Sequence, residues 1–187
     1  MKAIINAREF KRIIDNTKRF IRPSIHTNIM MEYIRLKIDI EAREIEATAL
    51  DNYRIADEYA ELVQADGSFT CYIKPNIPKL TGIDKVEIEL SGDRAYIVAG
   101  DSITGYLQPA KEFPDVDAFL KKELERNSIA NVYVNAKYLL DAIQQIPAHE
   151  RVQKPVIRLD VAGPQDPIII RHGKKNVKLV LPVNVNN

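Results

Sequence analysis

Residues 7–21 have the hydrophobic spacing of an amphipathic helix. The side chains predicted to share its buried face recur every three or four residues. They are Phe10, Ile13, Ile14, Thr17 and Ile21. Asn6 is suited to the N-cap position, because its side-chain oxygen can accept hydrogen bonds from the first turn, and Pro23 is expected to end the helix.

Beyond this helix the pattern changes to period two, which is typical of β-strands. Apolar residues alternate with charged ones over 34–41, and two further strands are predicted over 45–50 and 53–62. Together with a strand before the helix, these segments form a first unit of the order β-α-β-β-β.

A second unit of the same order is predicted from residue 69. Its strands cover 69–73, 86–90, 95–98 and 103–107, with hairpin turns at 91–93 and 100–101. The stretch 74–82 contains Pro75 and Pro78, so we expect it to hold only a short helix.

A third unit follows a charged linker over 110–130, which has room for a helical turn. The unit is predicted to contain a strand at 132–134, a helix from Ala136 to about Ile146 behind the cap Asn135, and strands over 156–162, 167–171 and 176–183.

The openings of the first and third units match. Ile5-Asn6-Ala7-Arg8 corresponds to Val134-Asn135-Ala136-Lys137, which indicates an internal repeat. A strand-to-helix entry signature common to many α+β domains is the alternative explanation. We therefore predict an α+β fold with antiparallel sheets and three repeated β-α-β-β-β units per chain, arranged as a domain over 1–109, a linker over 110–130 and a half domain over 131–187.

Charge is distributed unevenly along a chain that is nearly neutral overall. The 187 residues contain 27 Lys and Arg against 26 Asp and Glu, for a net charge of +1, yet residues 1–22 hold seven cations and two anions. Helical spacing places most of these cations opposite the apolar face, where they form one basic surface. An ordinary solvated helix face is the alternative interpretation.

The sequence has no recognisable catalytic motif. It contains only 7 glycines, and no glycine-rich phosphate-binding sequence, zinc-protease motif or nucleophile elbow. Cys71, the single cysteine, lies in a predicted strand, and Asp115 and Asp117 have no third metal ligand nearby. We therefore expect a non-enzyme without cofactor or metal; an unrelated α+β enzyme is the remaining alternative.

The compartment is predicted from what the chain does not contain. No apolar run approaches the roughly 18 residues of a membrane span, and the N-terminal residues turn polar too early for a signal peptide. We expect a cytoplasmic protein without a membrane partner.

Several stretches resemble the bacterial DNA polymerase III beta subunit family, the DNA sliding clamps. Thr48–Ala56 resembles the family's Ala-Thr-Asp-Gly-aromatic-Arg-Leu-Ala loop, and Glu112–Asp115 resembles its Phe-Pro-Asp linker. Val134–Ala142 resembles the start of its last helix, and Val180–Val183 resembles its terminal aliphatic-Pro-aliphatic strand. With the unit pattern, the resemblance covers most of the chain.

The chain also departs from the family pattern. The family has three domains of two units each, whereas this chain has three units in a shortened form. Pro78 breaks the second helix, and Asn52 stands where the family usually has glycine. Asn184–Asn187 extend past the family's last residue and are expected to obstruct its peptide pocket.

The resemblance implies a processivity factor that binds duplex DNA non-specifically and tethers a DNA polymerase or another protein with a clamp-binding motif, with a clamp loader as a further partner. The residues implied to contact DNA are Arg8, Lys11, Arg12, Lys18, Arg19, Arg22 and, in a smaller role, Lys137. Those implied to form the partner-peptide pocket are Leu50, Asn52, Tyr53, Arg54, Ile55, Pro114, Leu181, Pro182 and Val183. The alternative for the pocket is that Ile55 and Leu181 are core residues and that Arg54 pairs with a neighbouring carboxylate.

Self-association into a dimer or tetramer is also expected. The third unit is predicted to expose an open sheet edge and an apolar helix face, consisting of Leu139, Leu140, Ile143 and Ile146. Two third units related by a twofold axis are expected to form a composite domain, and two such dimers to close a ring. The alternatives are a third unit folded back on 1–109, and a reduced clamp-like regulator or interaction module that closes no ring around DNA.

Overall fold

The computed structural model describes residues 1–21, 29–51, 54–125, 131–144, 157–172 and 176–183. The chain divides into two compact units, Met1–Asp115 and Val116–Asn187, which we call unit 1 and unit 2. None of the helices in the described ranges is long and apolar enough to cross a membrane.

Unit 1 is built on one antiparallel sheet with the strand order β5-β2-β3-β4-β1-β6-β7-β8. Its strands are β1 (Lys2–Asn6), β2 (Ile34–Asp39), β3 (Glu44–Leu50), β4 (Ile55–Ala65), β5 (Phe69–Ile73), β6 (Lys85–Ser91), β7 (Arg94–Ala99) and β8 (Ser102–Leu107). The predicted α+β class with antiparallel sheets is confirmed. Strand β4 runs further than the predicted 53–62, because Ala65 still pairs with Ala3 of β1.

Helix α1 spans Ala7–Thr17 and buries its apolar face against the sheet. The side chains of Phe10, Ile13 and Ile14 are fully buried, and each contributes about 1.5–3 kcal/mol to folding. The Asn6 side chain caps the helix as predicted, accepting hydrogen bonds from the backbone of Arg8 at 2.9 Å and of Glu9 at 3.3 Å.

The predicted length of this helix is wrong at its end. The α-helix stops at Thr17, and the chain continues as a 3-10 turn over Lys18–Phe20. The Thr17 hydroxyl donates to the carbonyl of Ile13 at 2.7 Å, a side-chain bond that competes with regular helix continuation. The tighter turn brings Phe20 against the core. Pro23 lies outside the described residues.

The short helix predicted within 74–82 is absent, and this segment is irregular throughout. Pro75 and Pro78 lack the N–H that a helix requires, and each disfavours helical geometry at the residue before it. Ile77 and Leu80 instead pack directly against the core, and the Tyr106 hydroxyl donates to the carbonyl of Asn76 at 2.7 Å.

Unit 2 contains two helices and a three-stranded antiparallel sheet with the order β11-β10-β9 in the described ranges. Its elements are α2 (Val116–Leu124), α3 (Ala136–Gln144), β9 (Arg158–Asp160), β10 (Ile168–His172) and β11 (Asn176–Val180). The nine-residue α2 occupies the segment predicted to be a linker. The predicted strand at 132–134 is reduced to one isolated bridge between Val134 and Pro182.

Helix α3 begins as α1 does. The Asn135 side chain accepts a hydrogen bond from the backbone of Lys137 at 2.9 Å, which confirms the predicted cap. The prediction that Leu139 and Ile143 would lie exposed is wrong, because both pack against a small core formed by Ile168, Ile170 and Val180. Leu140 is exposed, and Ile146 lies outside the described residues.

Candidate nucleic-acid interface and peptide-binding loop

The outer face of α1 and its 3-10 turn carries the cations that the sequence assigns to DNA. Arg8, Lys11, Lys18 and Arg19 are exposed on this surface, opposite the buried apolar face. Within the described part of the chain, Arg8 and Arg19 form no ion pair, so their guanidinium groups are available to a phosphate. Arg22 lies outside the described residues.

Asp15 lies between two lysines on the basic face and pairs with both. Its carboxylate pairs with the ammonium of Lys11 and with that of Lys18, the latter at 2.5 Å. The hydrogen bond from Lys11, followed by that from Lys18, lowers the pKa of the Asp15 carboxyl. The two lysines are therefore oriented along the helix and partly neutralised by the acid between them.

Arg12 is exposed like the neighbouring cations, but its guanidinium reaches the sheet. Its guanidinium pairs with Glu9 at 2.9 Å and with Glu58 of β4 at 2.8 Å, and it donates to the carbonyl of Tyr59 at 2.5 Å. The pKa of Arg12 is raised, chiefly by Glu9. Two carboxylates already surround this side chain, so it contributes less free positive charge than Arg8 or Arg19.

A groove of about 420 Å³ lies beside this face, between α1 and the irregular segment that replaces the predicted second helix. Lys11 and Lys18 line one wall, and Pro78, Lys79 and Leu80 line the other. The sequence did not point to Lys79, although the two prolines before it indicated a break in regular structure.

The loop after β3 is held by an Asp–Arg pair. The buried carboxylate of Asp51 accepts hydrogen bonds from the backbone of Arg54 at 2.9 Å and from its guanidinium at 2.6 Å. The same guanidinium lies over the Phe20 ring at 5.0 Å and donates to the carbonyl of Arg19 at 3.2 Å. Leu50 is buried and Ile55 half-buried beside it, while Asn52 and Tyr53 lie outside the described residues.

The segment before unit 2 is anchored on the outer face of the sheet. The Phe113 ring packs on Tyr72 with a centroid distance of 5.8 Å and beneath the guanidinium of Arg35 at 5.4 Å. Arg35 in turn pairs with Glu46 and donates to the Thr48 hydroxyl at 3.1 Å. Pro114 follows directly and is half-buried.

The pocket residues assigned to unit 2 lie at the end of β11. Leu181 is exposed rather than buried in a core, Pro182 bridges Val134, and the Val183 N–H donates to the carbonyl of Tyr133 at 2.8 Å. Lys137 is exposed in the first turn of α3.

No group of three or more His, Cys, Asp or Glu side chains is arranged to hold a metal ion in the part of the chain that the structure describes. The Cys71 thiol is fully buried in β5, and burial raises its pKa to about 12. A thiol in this environment is not a nucleophile at neutral pH.

The fold is that of the bacterial DNA sliding clamps. No protein-family model and no curated protein matches the chain, but solved structures of DNA polymerase III beta subunits match it over nearly its whole length. At sequence identities this low, the likeness establishes the fold.

Three solved clamps illustrate the match. The beta subunit from Streptococcus pyogenes aligns with a TM-score of 0.77 and 16% identity, covering 98% of this chain and 50% of that one. The Bacillus subtilis sliding clamp gives 0.67 and 17%, covering 100% and 65%. The Helicobacter pylori clamp bound to a DNA ligase peptide gives 0.57 and 14%, covering 97% and 56%. The chain thus spans about half to two thirds of the length of these clamps.

Proposed function

We propose that this chain is a clamp-like, non-catalytic accessory protein of the cytoplasm that binds duplex DNA without sequence preference and tethers a DNA polymerase or another protein with a clamp-binding motif. A protein that slides must attract phosphates without bonding to base edges, because base-specific hydrogen bonds would hold it at one site. Exposed Lys and Arg side chains on a helix meet that requirement.

The basic face of α1 carries this proposal. Arg8 and Arg19 are exposed and unpaired within the described residues, and Lys11 and Lys18 lie between them. All four belong to α1 and the turn that ends it. We assign the main phosphate contacts to Arg8 and Arg19, weaker ones to Lys11 and Lys18, and smaller contributions to Arg12, Arg22 and Lys137.

The test is the salt dependence of DNA binding. The double variant Arg8→Glu/Arg19→Glu should weaken binding equally on unrelated duplexes and reduce the salt slope by about 1 for each phosphate that is no longer neutralised. The matched control is Arg94→Glu/Lys111→Glu, which makes the same charge change at exposed positions of unit 1 outside α1. An equal weakening in both variants would contradict the assignment to α1.

For partner capture we propose two surfaces, each within its own unit: the loop after β3 in unit 1 and the residues that follow β11 in unit 2. In unit 1 the half-buried Ile55 offers apolar surface next to the exposed Arg54, with Leu50 buried beside them. In unit 2 the exposed Leu181 offers another apolar surface. A synthetic peptide with a polymerase clamp-binding motif should shift the amide NMR signals of these residues, whereas a scrambled peptide should not. Shifts confined to other surfaces would contradict the assignment.

One observation favours the second candidate, a clamp-like regulator that closes no ring. Segment 74–82 is irregular, so this half of unit 1 lacks the helix that would continue a DNA-facing surface beside α1. The two candidates differ in how they respond to DNA topology. A closed ring is retained on circular DNA and released after linearisation, whereas a surface contact is unaffected by cutting. Retention should be measured at a salt concentration that removes simple electrostatic binding.

A further inference from the structure

The two halves of unit 1 are joined by exchanged strands. One half consists of β1, α1 and β2–β4, and the other of β5, the irregular segment 74–82 and β6–β8. We call β1 and β5, which come first in each half, the entry strands. The entry strand β1 pairs with β6 of the other half, and β5 pairs with β2. The registers correspond, since Ile5 lies opposite Val86 and Ile73 lies opposite Ile34. Each half therefore completes the edge of the other.

Unit 2 contains the elements of one such half, with a matching sequence. Its entry segment Val132-Tyr133-Val134 corresponds to Cys71-Tyr72-Ile73 of β5, and Ile157-Arg158-Leu159 corresponds to Ile34-Arg35-Leu36 of β2. In unit 1 these two triplets face each other, so that Tyr72 lies directly opposite Arg35.

Both strands of the corresponding pair have an open edge in unit 2. In the described ranges, β9 pairs only with β10, and the backbone of the entry segment pairs only with Pro182 and Val183, on its other side. The side chains of Val132 and Val134 pack against the small core of unit 2. Leu36 and Ile88, which the exchanged strands cover in unit 1, are both 0% exposed, whereas Leu159 at the matching position is 51% exposed. Leu159 lies directly opposite the buried Ile170 on the same face of the sheet, yet half of it is exposed.

We propose that two copies of this chain pair through unit 2 by exchanging entry segments. In this arrangement Val132–Val134 of each copy forms an antiparallel ladder with Ile157–Leu159 of the other, with Tyr133 opposite Arg158. The contact is isologous, because the same two segments are used twice around a twofold axis. It covers Leu159 and supplies backbone partners to both open edges.

A second copy fits this edge better than an unrelated strand does. The sheet edge and its complement are both present in every chain, and the Tyr and Arg that would face each other repeat the pair already formed between Tyr72 and Arg35. Tyr133 is exposed, so its ring is available to pack on the partner within the ladder.

Cysteine crosslinking of the full-length chain tests the register. Residues directly opposite each other in an antiparallel ladder have Cα atoms about 4.5–5.5 Å apart, which a disulfide can span. Tyr133→Cys/Arg158→Cys should oxidise to a covalent dimer that reduction reverses. Tyr133→Cys/Val177→Cys, whose second position is exposed on β11 but is not in the ladder, should not crosslink. Equal crosslinking of both variants, or none in the first, overturns the proposal.

Light scattering gives a second readout that needs no crosslink. The wild-type chain should have twice the mass of one chain, or a multiple of that, and Leu159→Glu should halve it while the circular dichroism spectrum stays unchanged. Val177→Glu is the control, since it places the same charge on the other face of the sheet. A monomeric wild type, or a mass that falls with Val177→Glu rather than Leu159→Glu, overturns the proposal.

Discussion

The Arg54 guanidinium donates a hydrogen bond to the main-chain carbonyl of Arg19 at 3.2 Å, which ties the loop after β3 to the turn that ends α1. Arg54 also holds the buried carboxylate of Asp51 and stacks on Phe20, so one side chain links the two surfaces that we propose for peptide and DNA. The position of Arg19 therefore depends on the geometry of the loop.

Replacing Arg54 should loosen both segments. Arg54→Ala removes a charge-assisted pair with Asp51 and the contacts to the turn, and we expect a decrease of about 1 kcal/mol in unfolding free energy, limited because the Arg54 side chain is half-exposed. Amide hydrogen exchange should rise at Lys18–Phe20. Arg54→Lys should recover less than half of the decrease, since an ammonium cannot form the planar two-nitrogen contact with a carboxylate.

The control for this prediction is Arg94→Ala, which removes an exposed arginine on β7. It should leave both the exchange at Lys18–Phe20 and the melting temperature unchanged. Unaltered exchange in Arg54→Ala would mean that the turn is held by Phe20 packing alone.

Removing the acid from the basic face should strengthen DNA binding. Asp15→Asn frees Lys11 and Lys18 from their shared carboxylate, so affinity should rise on all duplexes alike and the salt slope should steepen. The neutral variant should lose a few tenths of a kcal/mol of stability for each broken helix pair. Asp101→Asn, in an exposed turn, is the matched control and should change neither property.

The ion pairs of Asp15 with Lys11 and Lys18 also predict how the stability of the fold depends on pH. The pKa of Asp15 is lowered in the folded chain, so its ion pairs stabilise the fold above the ordinary carboxyl pKa. That contribution disappears as the pH falls through the lowered pKa of the folded state. Thermal melting between neutral and acidic pH should therefore show a smaller acid-induced destabilisation in Asp15→Asn than in the wild type. An identical destabilisation of the two chains would contradict the ion-pair geometry.

Sequence periodicity was sufficient for the elements that depend on local chemistry. The caps Asn6 and Asn135, the buried face of α1 and the alternation in β2 follow from side-chain spacing alone, and the structure confirms them. The basic face was also visible, because cations on one helix side need no tertiary information. The end of the α-helix at Thr17 could not be predicted from the sequence, because it depends on how Phe20 packs.

Contacts between distant segments could not be read from periodicity. The Glu58 carboxylate reaches Arg12 only because β4 lies beneath α1, so the partial neutralisation of Arg12 had no sequence signal. Phe113 was recognised as part of a linker motif, but its stacking on Arg35 and Tyr72 depends on the β2–β5 register. In each case the sequence singled out a side chain, whereas its contact partner could be found only from the fold.

The buried pair of Arg35 and Glu46 should tolerate joint replacement better than the removal of one partner. Arg35→Met leaves the largely buried Glu46 carboxylate with the more distant Lys37 ammonium at 3.7 Å, and we expect a decrease of about 1–3 kcal/mol in unfolding free energy. Arg35→Met/Glu46→Met removes both charges and should be more stable than the single variant. Urea unfolding of the wild type, both single variants and the double variant measures this coupling. Additive effects would indicate that the two side chains act independently.

The reactivity of the Cys71 thiol should show how often β5 separates from β2. Its side chain is 0% exposed and burial raises its pKa to about 12, so the native chain holds almost no reactive thiolate at pH 8. Cys71 should react with a chromogenic disulfide reagent more than about a thousandfold more slowly in the native chain than in denaturant. In a stable domain fewer than about one molecule in a thousand is open at any time, and only open molecules react. Val177→Cys adds an exposed thiol on β11 as an internal control, which should react at once while Cys71 does not. Native Cys71 reacting as fast as the exposed thiol would show that β5 separates readily from β2, and that the exchanged strands of unit 1 are held more weakly than their buried faces imply.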